Sequence, residues 1–117
     1  MKKAGSSKKF PKFSHQWMDQ VNLQMCLAIA EKVIEDPSLM RIPRQNLYRW
    51  KKKIRPWPSA LKEWETIIEH NSLERVLDIL TQDNDEGQRL RQSDPFIGIL
   101  SEKERLSFLQ LDEKIAA

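Results

Sequence analysis

The chain holds one cysteine, Cys26, and two histidines, His15 and His70, in 117 residues. A single thiol builds no internal disulfide, so the expected location is a reducing compartment, the cytoplasm. Cys26 lies in the apolar run Met25-Cys26-Leu27-Ala28-Ile29-Ala30 with no histidine beside it, the setting of an inert, buried thiol. Neither histidine has a Cys, His or carboxylate at a zinc-ligand spacing, so no metal site is expected. Glycine is equally scarce, at three residues. That excludes a glycine-rich phosphate loop and disfavours an all-β fold with many tight turns. No Ser/His/Asp or Cys/His arrangement supplies a nucleophile. The expectation is therefore a protein that is not an enzyme and carries no cofactor. No apolar run reaches the roughly 18–20 residues of a membrane span, and the N-terminal lysines are not followed by the apolar segment of a secretory leader.

What is present is charge, unevenly distributed. Residues 1–57 hold 13 Lys and Arg against 4 Asp and Glu, whereas residues 58–117 hold 7 against 13. A split of this kind suits one face for an acidic partner; the competing reading is that the two halves neutralise each other. Residues 1–13, rich in lysine with Gly, Ser and Pro, are expected to form a disordered basic arm whose Phe10 and Phe13 dock on the body. Residues 14–117 form the helical domain.

Periodicity then predicts an all-α, single-domain irregular helical bundle of four long and one or two short helices. Ser14 caps a first helix to Glu35, whose stripe is Met18, Val21, Met25, Ala28, Ile29 and Val33; Trp17, Leu23, Cys26 and Leu27 widen the apolar surface, as expected of a central helix. Asp36-Pro37 ends it and opens a second, which Pro43 is expected to kink or break near Ile42, with the stronger segment from Pro43 to Lys53. Ser59–His70 reads as a third helix, buried through Ala60, Leu61, Trp64, Ile67 and Ile68. Asn71 to Glu74 has the spacing of a capping box opening a fourth, with the stripe Leu73, Val76, Leu77 and Leu80. A short helix is expected over Asp85–Gln92. Ser101 and Glu104 make a second capping box for a last helix through Leu106, Leu109 and Ile115. The four tryptophans are the largest candidates for burial, each removing about 150–250 Å² from water. The acidic run at residues 83–87 lacks the spacing of a calcium loop.

One stretch has a functional shape. Residues 41–55, RIPRQNLYRWKKKIR, carry seven basic residues and no acid. On a helix, Arg41, Arg44, Gln45, Tyr48, Arg49 and Lys52 share one face, opposite Leu39, Leu47, Trp50 and Ile54. Arg and Gln make bidentate contacts to base edges, and Lys and Arg neutralise phosphates, so these six are candidate nucleic-acid-binding residues. A solvated face, a contact for an acidic protein and a clamp for the chain's own acidic half are the alternatives. The run IPRQNLYRWKKK is similar to the recognition helix of transposase-type helix-turn-helix domains, but lacks the glycine-containing turn that precedes it there.

The run from Gly87 to Leu100, followed by Glu104-Arg105, resembles the tail of a family of short, uncharacterised bacterial all-helical proteins with the pattern G-x-R-L-R-Q-S-x-P-F-x-G-x-L-x-x-x-E-R. Pro43 and Asp94 depart from it. The resemblance covers residues 14–110 or so and implies the small, antitoxin-like partner of a two-gene pair, with no catalytic residues. On physical grounds the run is an intramolecular latch, in which Phe96 plugs the core and Arg89 and Arg91 pair with nearby acids or helix-end carbonyls. The alternative is a partner-docking surface of Arg89, Arg91, Gln92 and Phe96. The resulting expectation is a non-enzymatic regulatory protein with a protein partner and nucleic acid as a further target. A pure protein-interaction adaptor with no nucleic-acid role is the alternative.

Overall fold

Ser14 begins the folded body by accepting a hydrogen bond from the Trp17 backbone N–H at 3.2 Å, satisfying one of the orphan donors at the start of α1, His15–Glu35. The computed structural model describes residues 10–116. After α1 come a 3-10 turn, Pro37–Met40, and α2, Arg41–Lys53. They are followed by α3, Ser59–His70, α4, Leu73–Thr81, α5, Asp85–Arg91, and α6, Glu102–Ala116. The fold is all-α: a single-domain bundle with four helices of twelve residues or more and two shorter ones among the described residues. The basic arm expected at residues 1–13 lies, for residues 1–9, outside the described residues. Phe13 meets Trp17 edge-on with ring centroids 5.0 Å apart but stays 68% exposed.

α1 is the central helix, in contact with the 3-10 turn, α4, α5 and α6. Its buried side takes half of the expected stripe and most of the residues expected to widen it. Trp17, Val21, Leu23, Cys26, Ile29, Ala30 and Val33 are buried, while Met18 is exposed and Met25 and Ala28 are half-buried. The cause is that α1 has neighbours on more than one side, so the face chosen by spacing alone is only one of those covered. Of the tryptophans, Trp17 and Trp64 are buried, and Trp50 and Trp57 lie at the edge of the core. Trp57 stays at the surface because its indole N–H donates to Glu65 Oε1 at 2.9 Å. Trp64 is fully enclosed, donates to the Leu90 carbonyl at 2.9 Å and meets Phe96 edge-on at 5.7 Å. Such a pair contributes about 0.5–1.5 kcal/mol beyond its buried area.

The break expected near Ile42 is present and the stronger segment does run to Lys53, but Pro43 is not the site of the break. The change of winding falls two residues earlier, where the 3-10 turn passes into α2, and Pro43 then occupies the first turn of α2, where its missing N–H has no intrahelical acceptor to lose. Nor does Asn71 cap α4. Its side chain donates back to the Ile67 carbonyl and closes α3, and Ser72 caps α4 by accepting from the Arg75 N–H. The box at the start of α6 is reciprocal, as its spacing predicts: Ser101 Oγ accepts from Glu104 N–H at 3.1 Å and Glu104 accepts from Ser101 N–H at 2.8 Å.

Candidate nucleic-acid interface

α2 is held from one side only. Pro43, Asn46 and Leu47 are buried, with Ile42 and Trp50 half-covered against the core. Asn46 is the anchor. Its Nδ2 donates to the carbonyls of Pro95 and Ile97, both at 2.8 Å, and so stitches α2 to the segment between α5 and α6. Gly98 adopts φ +104° there, with Ile42 beside it. This buried amide escaped the sequence reading. Its only signal is an asparagine on the apolar side of the helical wheel, and its acceptors lie about fifty residues away.

The opposite face carries Arg41, Arg44, Gln45, Tyr48, Arg49 and Lys52, every one exposed. Arg41 donates to the Ser38 carbonyl of the preceding turn at 3.3 Å, and Arg49 donates to Asn46 Oδ1. Lys52 Nζ lies 4.2 Å from the centroid of the Tyr48 ring, and that tyrosine is 67% exposed. Arg44 stands at the rim of a cleft of about 190 Å³ formed with Met40, Ile68, Asn71, Leu73 and others. Among the described residues none of these cations pairs with a carboxylate. Several acids of the second half are engaged elsewhere: Glu65 with Lys51 at 3.3 Å, Glu63 and Glu86 with Arg89, and Glu104 with Lys32 at 2.8 Å. The clamp that would have neutralised this face is absent from the described residues. Lys51, one position off the ridge, is the α2 residue that reaches an acid. The principal helical neighbour of α2 is α3, while α1 packs against the 3-10 turn, so the first half of a helix-turn-helix pair is not where that motif needs it.

The latch segment divides the four residues considered for partner docking. Arg89 and Gln92 are at the surface, whereas Arg91 and Phe96 are interior, at 5% and 0% exposure, so the four do not make one docking surface. Phe96 is inside because the pocket beside Trp64 accepts its ring. Arg91 is inside because its Nη1 serves two helix-end carbonyls, Leu80 at 3.0 Å and Gln82 at 2.8 Å. Arg89 straddles two acids, bidentate to Glu63 at 2.9 and 3.1 Å and bonded again to Glu86, whose carboxyl it holds below its ordinary value through those hydrogen bonds.

Beneath the latch sits Asp94. Its Oδ1 accepts from the Phe96 N–H at 2.9 Å, and its Oδ2 lies 4.0 Å from Cys26 Sγ. Burial pushes the Asp94 carboxyl above its ordinary value, against the Phe96 hydrogen bond and the Arg91 charge, which pull it down. Burial, helped by the Asp94 charge, also pushes the Cys26 thiol up. His15 and His70 are both exposed, and among the described residues no three His, Cys, Asp or Glu side chains gather as a metal-binding group. No described helix is long and apolar enough to cross a membrane. No family model, curated protein or solved structure matches the chain.

Proposed function

We propose that this chain is a non-enzymatic regulatory protein, antitoxin-like in kind, that contacts nucleic acid through the outer face of α2 and works with a protein partner in the cytoplasm. One observation carries the nucleic-acid part: Arg41, Arg44, Arg49 and Lys52 stand exposed on a single helical face, and among the described residues no carboxylate pairs with any of them. An unneutralised row of cations on a well-anchored helix draws phosphates and releases their counterions. The lone, buried Cys26 suits a reducing compartment.

The test is fluorescence anisotropy with labelled DNA and RNA oligonucleotides over a range of salt concentrations. Four phosphate contacts give a slope of log affinity against log salt of about −3, and Arg44→Glu with Arg49→Glu abolishes binding. Unchanged anisotropy at low salt and excess protein removes the nucleic-acid part.

A second observation favours the adaptor reading. A cleft of about 170 Å³ opens between α1, the latch and α6, lined by Met25, Ile29, Asp94, Phe96 and Arg105 and edged by Ile97, which is 55% exposed. On that reading a protein partner seats at the cleft, and the double substitution in α2 leaves partner binding and biological function intact.

A further inference from the structure

The ridge on α2 is not made of charge alone. At its midpoint the side chain of Tyr48 stands 67% exposed. Arg44 is one turn before it, Lys52 one turn after, and Gln45 and Arg49 lie on the same side of the helix. A phenol ring left in water at the centre of a cationic row gives the fold little beyond its contact with Lys52. Phosphate binding does not need it either, because the cations already supply the attraction. The ring does have one use there. A flat π-face flanked by phosphate-binding groups is the platform on which an unpaired base stacks, and stacking of this kind tolerates any base. Lys52 already rests against the ring at 4.2 Å, which keeps a cation beside the stacking position. A continuous duplex offers no free base face, because its bases are stacked on one another, and recognition of unpaired nucleotides works instead through aromatic side chains and exposed base edges. Gln45, one turn from Tyr48 and exposed, brings an amide able to meet such an edge. From Arg41 to Lys52 the row extends about 16 Å along the helix axis, enough for a short run of nucleotides and too little for a long footprint. Arg49 is steadied by the Asn46 amide, itself tied to the latch, so at least one of the flanking cations is preplaced.

Resting on the nucleic-acid reading above, we infer that the α2 face binds single-stranded or looped nucleic acid in preference to duplex, with Tyr48 stacking on an unpaired base and Arg44, Arg49 and Lys52 holding the neighbouring phosphates. The experiment measures anisotropy of labelled twelve-nucleotide single strands of mixed sequence, one DNA and one RNA, beside the blunt DNA duplex of the same sequence. All are measured at one low salt concentration with the full chain. The single strands bind about tenfold more tightly than the duplex, and Tyr48→Ala removes that margin, a loss of about tenfold. Tyr48→Phe, which keeps the ring, restores it. The DNA and RNA arms say which sugar is preferred, and a preference for either upholds the inference. Duplex binding equal to or tighter than single-strand binding overturns it, as does single-strand affinity unchanged in Tyr48→Ala, and in both cases the cationic face keeps its broader role. No binding of any oligonucleotide defeats that broader reading as well, and binding of polyglutamate alone would assign the face to an acidic protein. Circular dichroism of the Tyr48 variants confirms that the helices are intact, as expected for a side chain that packs on nothing interior.

Discussion

Asn46 and Arg49, one helical turn apart on α2, are joined by a hydrogen bond from the guanidinium to the amide oxygen, while the amide nitrogen of Asn46 serves the Pro95 and Ile97 carbonyls. One buried side chain thus fastens the latch to the helix and steadies a cation on the outer face. Asn46→Leu strips both carbonyls of their donor and costs about 1–3 kcal/mol in denaturant unfolding. It also weakens oligonucleotide binding, although the substitution removes no charge. Arg49→Gln separates the two effects, with weaker binding and almost unchanged stability. If Asn46→Leu leaves both properties at wild-type values, the stitch contributes neither support nor placement.

Arg89 and Arg91 are two residues apart and look alike in sequence, yet their removal should have opposite weight. Arg89 makes many more contacts with acids, all at the surface, where solvent screens them. Arg91 makes two hydrogen bonds to backbone carbonyls in the interior. Arg91→Met leaves those carbonyls unsatisfied and lowers stability by about 3 kcal/mol, whereas Arg89→Met shifts the denaturation midpoint far less. Equal shifts in the two variants would show that the surface clamp matters as much as the interior one.

The pH dependence follows from Asp94. Its native carboxyl titrates above the ordinary value of 3.8 because burial disfavours the charge. The folded state therefore binds a proton more readily than the unfolded chain, and the stability this supplies is complete below the unfolded value and lost as pH rises through the native one. Asp94→Asn keeps the acceptor for the Phe96 N–H without the charge. It is at least as stable as the parent at pH 7, and the difference closes as pH falls toward 4. A widening difference on acidification would reverse the assignment. Cys26, alongside, reacts with a thiol reagent at pH 8 only as fast as the protein unfolds, because burial and the Asp94 charge suppress its thiolate.

Gly87 is required by the close approach of one residue, Gln82. A Cβ there would lie 2.0 Å from the Gln82 carbonyl oxygen, the same oxygen that accepts from Arg91. Gly87→Ala is expected to push α5 away from that carbonyl and to cost about 3 kcal/mol or more. Because both changes act on one oxygen, Gly87→Ala combined with Arg91→Met costs less than the sum of the two, as a double-mutant cycle in urea would show. Gly98→Ala is milder, about 1–2 kcal/mol, since its Cβ finds room and only φ +104° is strained.

Local signals in the sequence were reliable where a single element decides the outcome. The Ser14 cap, the limits of α3, the Ser101–Glu104 box and the outward face of α2 all follow from spacing within one helix. Where two elements meet, the sequence is silent. Nothing in the run Arg89-Leu90-Arg91 tells which arginine turns inward, because that depends on the end of α4 arriving beside α5. Asn46 is unremarked for the same reason. Asn71 and Ser72 compete for one cap, and which wins depends on where α3 stops. Of the candidate interface, the membership of the ridge was legible and its freedom from the acidic half was not, since the partners chosen by Glu63, Glu65 and Glu86 are set by packing between helices.

α6 contributes no fully buried side chain over residues 102–109, and its polar tie to the body is the Lys32–Glu104 pair, with both members half-buried. The last fully buried groups before it are Ile99 and Leu100. The amide protons of α6 should therefore exchange with deuterium ahead of those of α1 and α3, and faster still in concentrated salt, where the tethering attraction is damped. Among the described residues, Phe108 is the apolar group by which α6 rests on the core, so the firmness of this last helix hangs on one partly covered ring and one ion pair.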